Sequence, residues 1–252
     1  MTLQTTAIVL AAGKGTRMKS PLPKVLYPVL GRPMIHWVID ALEKIGVTRK
    51  ILVIGYEADM VKAELANRKG IEFALQEQQL GTGHAVQMAA PLLSAADQSV
   101  IVLAGDSPLV QASSLQRLLS HFESGQFDCL LGTLHKANPF GLGRIVRDSA
   151  GSFSKIVEQK DATEEEKQIT EVNMSTYAFR TEALLWALLR LSNQNAQGEF
   201  YLTDCPAILR NAGNRVEATA VLEPCESLSI NTQEEALLVE AKMKEMGYPC
   251  AS

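Results

Sequence analysis

Long apolar runs are absent from this chain, and none approaches the ~20 residues that a membrane-crossing helix needs. No membrane segment is therefore expected. An excess of positive charge is also missing: 24 Lys and Arg face 28 Asp and Glu, for a formal net charge of −4. No broad nucleic-acid-binding surface is therefore indicated. The four cysteines, Cys129, Cys205, Cys225 and Cys250, form no C-x-x-C pair and show no Cys/His spacing suited to zinc. They read as reduced thiols of a cytoplasmic protein. The apolar start at Ala7 is too short, and lacks the basic flank, for a secretory leader. The chain has no long polar tract, no internal repeat and no sharp linker. With 46% hydrophobic and 21% charged residues over 252 positions, a folded domain with a large core is expected.

What is present is a rhythm. Apolar runs at Thr6 to Ala12, Lys50 to Gly55, Ile71 to Leu75, Ser99 to Ala104 and Cys129 to Leu134 read as strands. Between them, Met34 to Ile45, Ala58 to Asn67, Thr82 to Leu93 and Ser113 to Glu123 read as helices. Near-continuous Val/Ile/Leu strands alternating with helices predict a mostly parallel sheet with helices on both faces. After Lys136 the rhythm changes. Gly141 to Val146, Ser154 to Val157 and Glu171 to Phe179 look like strands of an antiparallel insertion, and Arg215 to Leu222 like a further strand. Thr181 to Leu191, Thr203 to Asn211 and Asn231 to Met246 complete the helices. One α/β domain over 1–252 is expected. Its parts are a nucleotide-binding part (1–135), a second part (136–228) and a closing helix (229–252).

Ligands of such sheets bind beyond the carboxyl ends of the strands. Two loops stand out there: "GKGTRMKSPLPK", Gly13 to Lys24, and Gly105-Asp106. Gly13 and Gly15 let backbone N–H groups approach an anion closely. Arg17 can fork onto phosphate oxygens, while Lys14 and Lys24 supply point charges. Pro21 and Pro23 stiffen the approach to Lys24, which suits an electrostatic catalyst. Neither a Walker A motif nor a Rossmann fingerprint is present, since Gly15 follows Lys14 and position 18 is Met18. Asp106 at a strand end suits Mg²⁺, although an Asp before Pro108 also suits a turn or a helix cap. A His-based mechanism has little support. His84 at a helix start reads as structural, and His36, His121 and His135 have no evident partners.

"LAAGKGTRM" followed by "PK" resembles the signature of sugar-nucleotide nucleotidyltransferases. The resemblance continues through "LQEQQLGTGHA" (Leu75 to Ala85), "GD" (Gly105-Asp106), "GLGRI" (Gly141 to Ile145), "IVEQKDAT" (Ile156 to Thr163), "EVN" (Glu171 to Asn173) and "NAQGEFYLTD" (Asn195 to Asp204). Together these look like the uridylyltransferase domain of bacterial N-acetylglucosamine-1-phosphate uridylyltransferases. The resemblance implies a Rossmann-like nucleotidyltransferase fold and substrates UTP and a sugar 1-phosphate. It also implies Mg²⁺, with UDP-N-acetylglucosamine and pyrophosphate as products and cell-wall precursor supply as the setting. Arg17 and Lys24 would be the catalytic cations. Leu10, Ala11, Ala12, Gly13 and Gly15 would lie near the nucleotide, and Gln76, Gly81 and Thr82 near the base. Gln78 and Gln79 offer the same chemistry, so only the resemblance selects Gln76. Gly143, Glu158 and Asn173 would hold the sugar. Asp106 and Asn231 would hold the metal, although Asn231 also suits a helix cap with Glu234 three residues on.

Three positions depart from the family pattern. Ala104 stands where a Tyr usually precedes Gly-Asp. Asn173-Met174-Ser175 replaces Asn-Thr-Gly, and Ser229-Ile230 replaces Gly-Val. These changes leave open a different sugar 1-phosphate, or a nucleotide-sugar-binding protein without turnover. The family usually continues into a β-helix of hexapeptide repeats that carries acetyltransferase activity and forms a trimer. No hexapeptide period occurs here, so no acetyltransferase activity is expected, and the trimer is not carried over: the sequence does not report the oligomeric state.

Overall fold

A computed structural model describes residues 3–250. The strands are β1 (Thr5–Ala11), β2 (Pro28–Val29), β3 (Arg32–Pro33), β4 (Arg49–Ile54), β5 (Ile71–Leu75), β6 (Ser99–Ala104), β7 (Cys129–His135), β8 (Gly143–Arg147), β9 (Phe153–Val157), β10 (Glu171–Arg180) and β11 (Val216–Thr219). The helices are α1 (Met34–Lys44), α2 (Ala58–Glu64), α3 (Thr82–Ala89), α4 (Ala112–Ser124), α5 (Thr181–Leu188), α6 (Cys205–Asn211) and α7 (Gln233–Glu245).

The main path of the sheet runs β11-β7-β10-β6-β1-β4-β5. β1 pairs in parallel with β4 and β6, β4 with β5, and β7 with β11. β10 pairs antiparallel with β6 and β7, so it alone runs against the others on this path. β8 adds to β10 and carries β9, both antiparallel, which is the expected insertion.

The continuous apolar strands follow from burial on both sides. In β1, Ile8 joins α3, α5 and α6 through Val86, Leu184 and Leu209, whereas Ala7 and Val9 join α1 and α2 through Ile35, Val38 and Val61. Each fully buried Val or Ile side chain contributes about 1.5–3 kcal/mol. α7 lies apart from both layers. Its Ala236, Val239 and Met243 pack on Val29, Leu30, Met34 and Trp37, and on Met18 of the basic loop.

Several boundaries differ from expectation. α2 ends at Glu64 rather than Asn67. α3 ends at Ala89, because Pro91 stands in the 3₁₀ turn that follows. Within β10 the register against β7 jumps between Asn173 and Thr176. Met174 and Ser175 form the bulge, and Ser175 takes the left-handed conformation at φ 53°.

Candidate active site

β1 stops where Gly105, at the end of β6, donates its N–H to the Leu10 carbonyl at 2.9 Å. A Cβ on Gly105 would lie 2.9 Å from that same oxygen, so only glycine allows the two strand ends to meet. The basic loop leaves from this junction. Among the described residues, no protein acceptor meets the backbone N–H groups from Gly13 to Arg17. Gly15 turns the loop in the left-handed conformation, φ 66°, and a Cβ there would stand 2.7 Å from Cβ of Lys24. The glycine thus makes room for the lysine stem. Lys24 itself opens a 3₁₀ turn directly after Pro23, pinned by the buried Val25 and Leu26. Lys14 lies over the Tyr56 ring, 5.0 Å from its centre.

The Lys24 ammonium reaches the end of β6 and donates to Asp106 Oδ2. It also donates to Asn231 Oδ1 at 2.8 Å, and Arg17 Nη2 donates to the same oxygen at 3.0 Å. Asn231 is free to do this because it does not cap α7. The cap is Thr232, whose side chain accepts from the Glu235 N–H, while the Glu235 carboxylate accepts from the Thr232 and Asn231 N–H groups. The capping pair is shifted by one residue from the Asn231/Glu234 alternative, and the Asn231 side chain turns toward the loop.

For a divalent metal the donor set at this junction is small. One carboxylate and one amide oxygen, Asp106 and Asn231, are hard ligands. A cation, the Lys24 ammonium, already lies between them. Among the described residues no cluster of three or more His, Cys, Asp or Glu could hold a metal by itself. Two oxygens with room for phosphates and water fit a cation held partly by its substrate.

An open cleft of about 1130 Å³ lies over this junction. Leu10, Ala11, Ala12, Gly13, Gly15, Arg17, Lys24, Gln76, Gly81, Thr82, Asp106, Asn173 and Asn231 all line it. Gly143 and Glu158 stand just behind the wall. Gly143 pairs with Asn173 across β8 and β10, and a Cβ on Gly143 would lie 3.6 Å from Glu158 Oε1. Glu158 is half-buried and accepts from Thr203 Oγ1 at 3.1 Å. Burial pushes its carboxyl above the usual range. It is therefore no surface partner of Lys155 and Lys160, which bind Glu166 and Gln197 instead.

Geometry also separates the glutamines. Gln76 is 4% exposed, and its Nε2 donates to the Gly81 carbonyl at 3.1 Å and meets His84 Nδ1 at 3.0 Å. Gln78 is exposed, and Gln79 donates to the Ala12 carbonyl at 2.7 Å, tying two cleft loops together. Both amide hydrogens of Gln76 are engaged, so the group it offers a ligand is the acceptor Oε1. His36 has partners after all: Nε2 meets Glu64 at 2.7 Å and Nδ1 faces Arg68. None of the four histidines lines the cleft. Sequence reasoning missed the cleft residues Gln79, Phe140, Gln197 and Leu238, and the Thr203 support of Glu158. Gln197 and Thr203 lie inside the quoted string Asn195 to Asp204, which was the available signal. Ala104 lines the cleft beside a cavity of about 10 Å³, bounded also by Met174, Ser107 and Glu226.

Residues 7–169 match the family of the MobA-like NTP transferase domain. The chain belongs to that family. Among relatives of this NTP transferase, the bifunctional protein GlmU of an Exiguobacterium species is 45% identical over 239 residues, covering 95% of this chain and 52% of the relative. The bifunctional protein GlmU of Halalkalibacterium halodurans is 46% identical over 238 residues, with 94% and 52% covered. The chain thus spans about half the length of the curated relatives it matches. A UDP-glucose pyrophosphorylase solved with UDP-glucose superimposes at a TM-score of 0.79 and 16% identity, over 96% of this chain and 99% of that one. HddC from Yersinia pseudotuberculosis gives 0.69 at 20% identity, over 94% and 99%. These two likenesses establish the NTP transferase fold. Among the described residues no helix is long and apolar enough to cross a membrane.

Proposed function

We propose that this chain is a uridylyltransferase that forms UDP-N-acetylglucosamine and pyrophosphate from UTP and N-acetylglucosamine 1-phosphate. The observation that carries the reading is the meeting of Arg17, Lys24, Asp106 and Asn231 over a loop of unpartnered N–H groups. The GlmU relatives support the choice of nucleotide and sugar. A phosphate oxygen of the sugar 1-phosphate attacks the α-phosphorus of UTP, and the bond to the bridging oxygen of the β-phosphate breaks. Such chemistry asks mainly for alignment and charge stabilisation. The N–H groups from Gly13 to Arg17 and the Arg17 fork would hold the triphosphate. Lys24 would face the α-phosphate, where negative charge is redistributed. Asp106 and Asn231 would hold Mg²⁺, which would supply positive charge to the phosphates. The acceptor Gln76 Oε1 would take the N3–H of uracil, and the Gly81 N–H, which meets no acceptor among the described residues, would serve a carbonyl of the ring. Gly143, Glu158 and Asn173 would form the sugar wall.

The test is pyrophosphate release from UTP and Mg²⁺ across N-acetylglucosamine, glucose, galactose and N-acetylgalactosamine 1-phosphates. A clear preference for N-acetylglucosamine 1-phosphate is expected. Preference for another sugar would assign a changed specificity to Ala104 and Ser175. Silence across the panel, with UTP still bound, would overturn turnover itself.

A further inference from the structure

Arg144 follows Gly143 in β8, and it is 1% exposed. Its partners are neutral. Nη1 donates to the Leu142 carbonyl and Nη2 to Gln159 Oε1 at 2.6 Å, while Nε meets no acceptor. A buried guanidinium held by neutral oxygens, with one N–H orphaned, is costly. An apolar side chain of similar volume would be cheaper unless the cation serves its surroundings.

Two features of those surroundings use it. Gln159 Oε1 also accepts the Gly141 N–H at 3.0 Å. One guanidinium fork therefore gathers Leu142 and, through Gln159, Gly141. These residues belong to the β7–β8 loop that places Phe140, Gly141 and Leu142 on the cleft wall. Arg144 is also paired with Val157 across β8 and β9, which sets its charge near the next residue, Glu158. Other forces on Glu158 are mostly adverse. Burial, then Asp161 and Asp204, push its carboxyl up, while the Thr203 hydroxyl and Arg144 act the other way. The Glu158 charge in turn acts on Tyr177 and Tyr201.

We propose that Arg144 is a positioning residue for the sugar 1-phosphate: its fork fixes the loop before β8, and its charge keeps Glu158 an acceptor for a sugar hydroxyl. The proposal rests on the reading of Gly143, Glu158 and Asn173 as the sugar wall. Arg144→Met keeps the volume and loses both roles. Arg144→Lys keeps the charge and loses the fork.

The experiment combines a carboxyl ¹³C NMR titration of Glu158, assigned with Glu158→Gln, amide exchange at Gly141, and steady-state kinetics. In Arg144→Met the Glu158 titration moves to higher pH, and the acid limb of kcat/KM for the sugar phosphate moves with it. In Arg144→Lys both stay in place. Exchange at Gly141 quickens in both variants. KM for the sugar phosphate rises about tenfold in Arg144→Met, with KM for UTP changed less than about twofold. An unmoved Glu158 titration, or KM for UTP rising as far as that for the sugar phosphate, overturns the proposal. Titration and exchange are read on the protein without substrate, so they are independent of turnover. A wild type inactive on every sugar phosphate, with the titration shifted as expected, would instead overturn the functional reading.

Discussion

Replacing Lys24 by alanine removes a cation that touches both Asp106 and Asn231 and whose stem fills the space left by Gly15. On the proposed reading, its charge matters most as the α-phosphate reacts. Lys24→Ala is expected to lower kcat by about 10²-fold or more while the Kd for UTP changes far less. Equal losses in single-turnover and UTP-binding measurements would contradict that role. Asp106→Asn is expected to weaken Mn²⁺ binding in the presence of UTP, followed by paramagnetic resonance, and to lower activity with it. An unchanged metal titration would remove Asp106 from the site. Lys24 and Asp106 were legible because strand ends and glycine loops follow local rules. Asn231 was legible only by resemblance, since nothing near it in the chain shows that Thr232 takes over the cap. Arg144 and Thr203 were not legible. Their meaning comes from Gln159 and Glu158, which the sheet brings to them.

The capping box at the start of α7 aims Asn231 at the basic loop, so its effect reaches beyond helix stability. Thr232→Ala is expected to cost about 1 kcal/mol in urea unfolding. It is also expected to weaken metal binding, because Glu235 then loses one half of the arrangement that holds the Asn231 N–H. Loss of stability with unaltered metal affinity would separate the cap from the site. The long periodic elements, such as α1 and the strands β1, β4 and β6, were readable because burial on both faces leaves an unbroken apolar pattern. The reversed direction of β10 and its bulge were not. Strand direction depends on the path of connections, and the bulge at Met174 and Ser175 answers to β7 and β8 rather than to its own sequence.

At the amino ends of the strands, far along the sheet from the cleft, Asp97 ties several elements together. It accepts from Arg49 Nη1 at 2.5 Å, from Thr6 and from Ser94, while its carbonyl accepts from Thr181. Burial pushes the Asp97 carboxyl up, but hydrogen bonds from Arg49, Thr6 and Ser94 outweigh it and hold it at about 2, below the ordinary 3.8. A depressed carboxyl stabilises the fold above its unfolded value, and the contribution fades as pH falls through the folded one. Roughly 2 kcal/mol should therefore be lost between about pH 4 and pH 2. Asp97→Asn is expected to be less stable at neutral pH and to show a flatter dependence over that interval in urea midpoints. A parallel pH profile would assign the acid sensitivity to other carboxylates.

Asn231 meets Lys24 and Arg17 across sequence separations of 207 and 214 residues. Those contacts belong to a late moment in the life of the molecule. The entropy of closing so long a loop is offset only after the intervening sheet has formed. On the proposed reading, catalytic competence is then expected to follow secondary structure and the main core when the chain refolds. A nascent chain halted before Asn231 would carry the glycine-lysine loop and Asp106 without the third corner of the proposed site, and is expected to stay inert until synthesis has passed that residue.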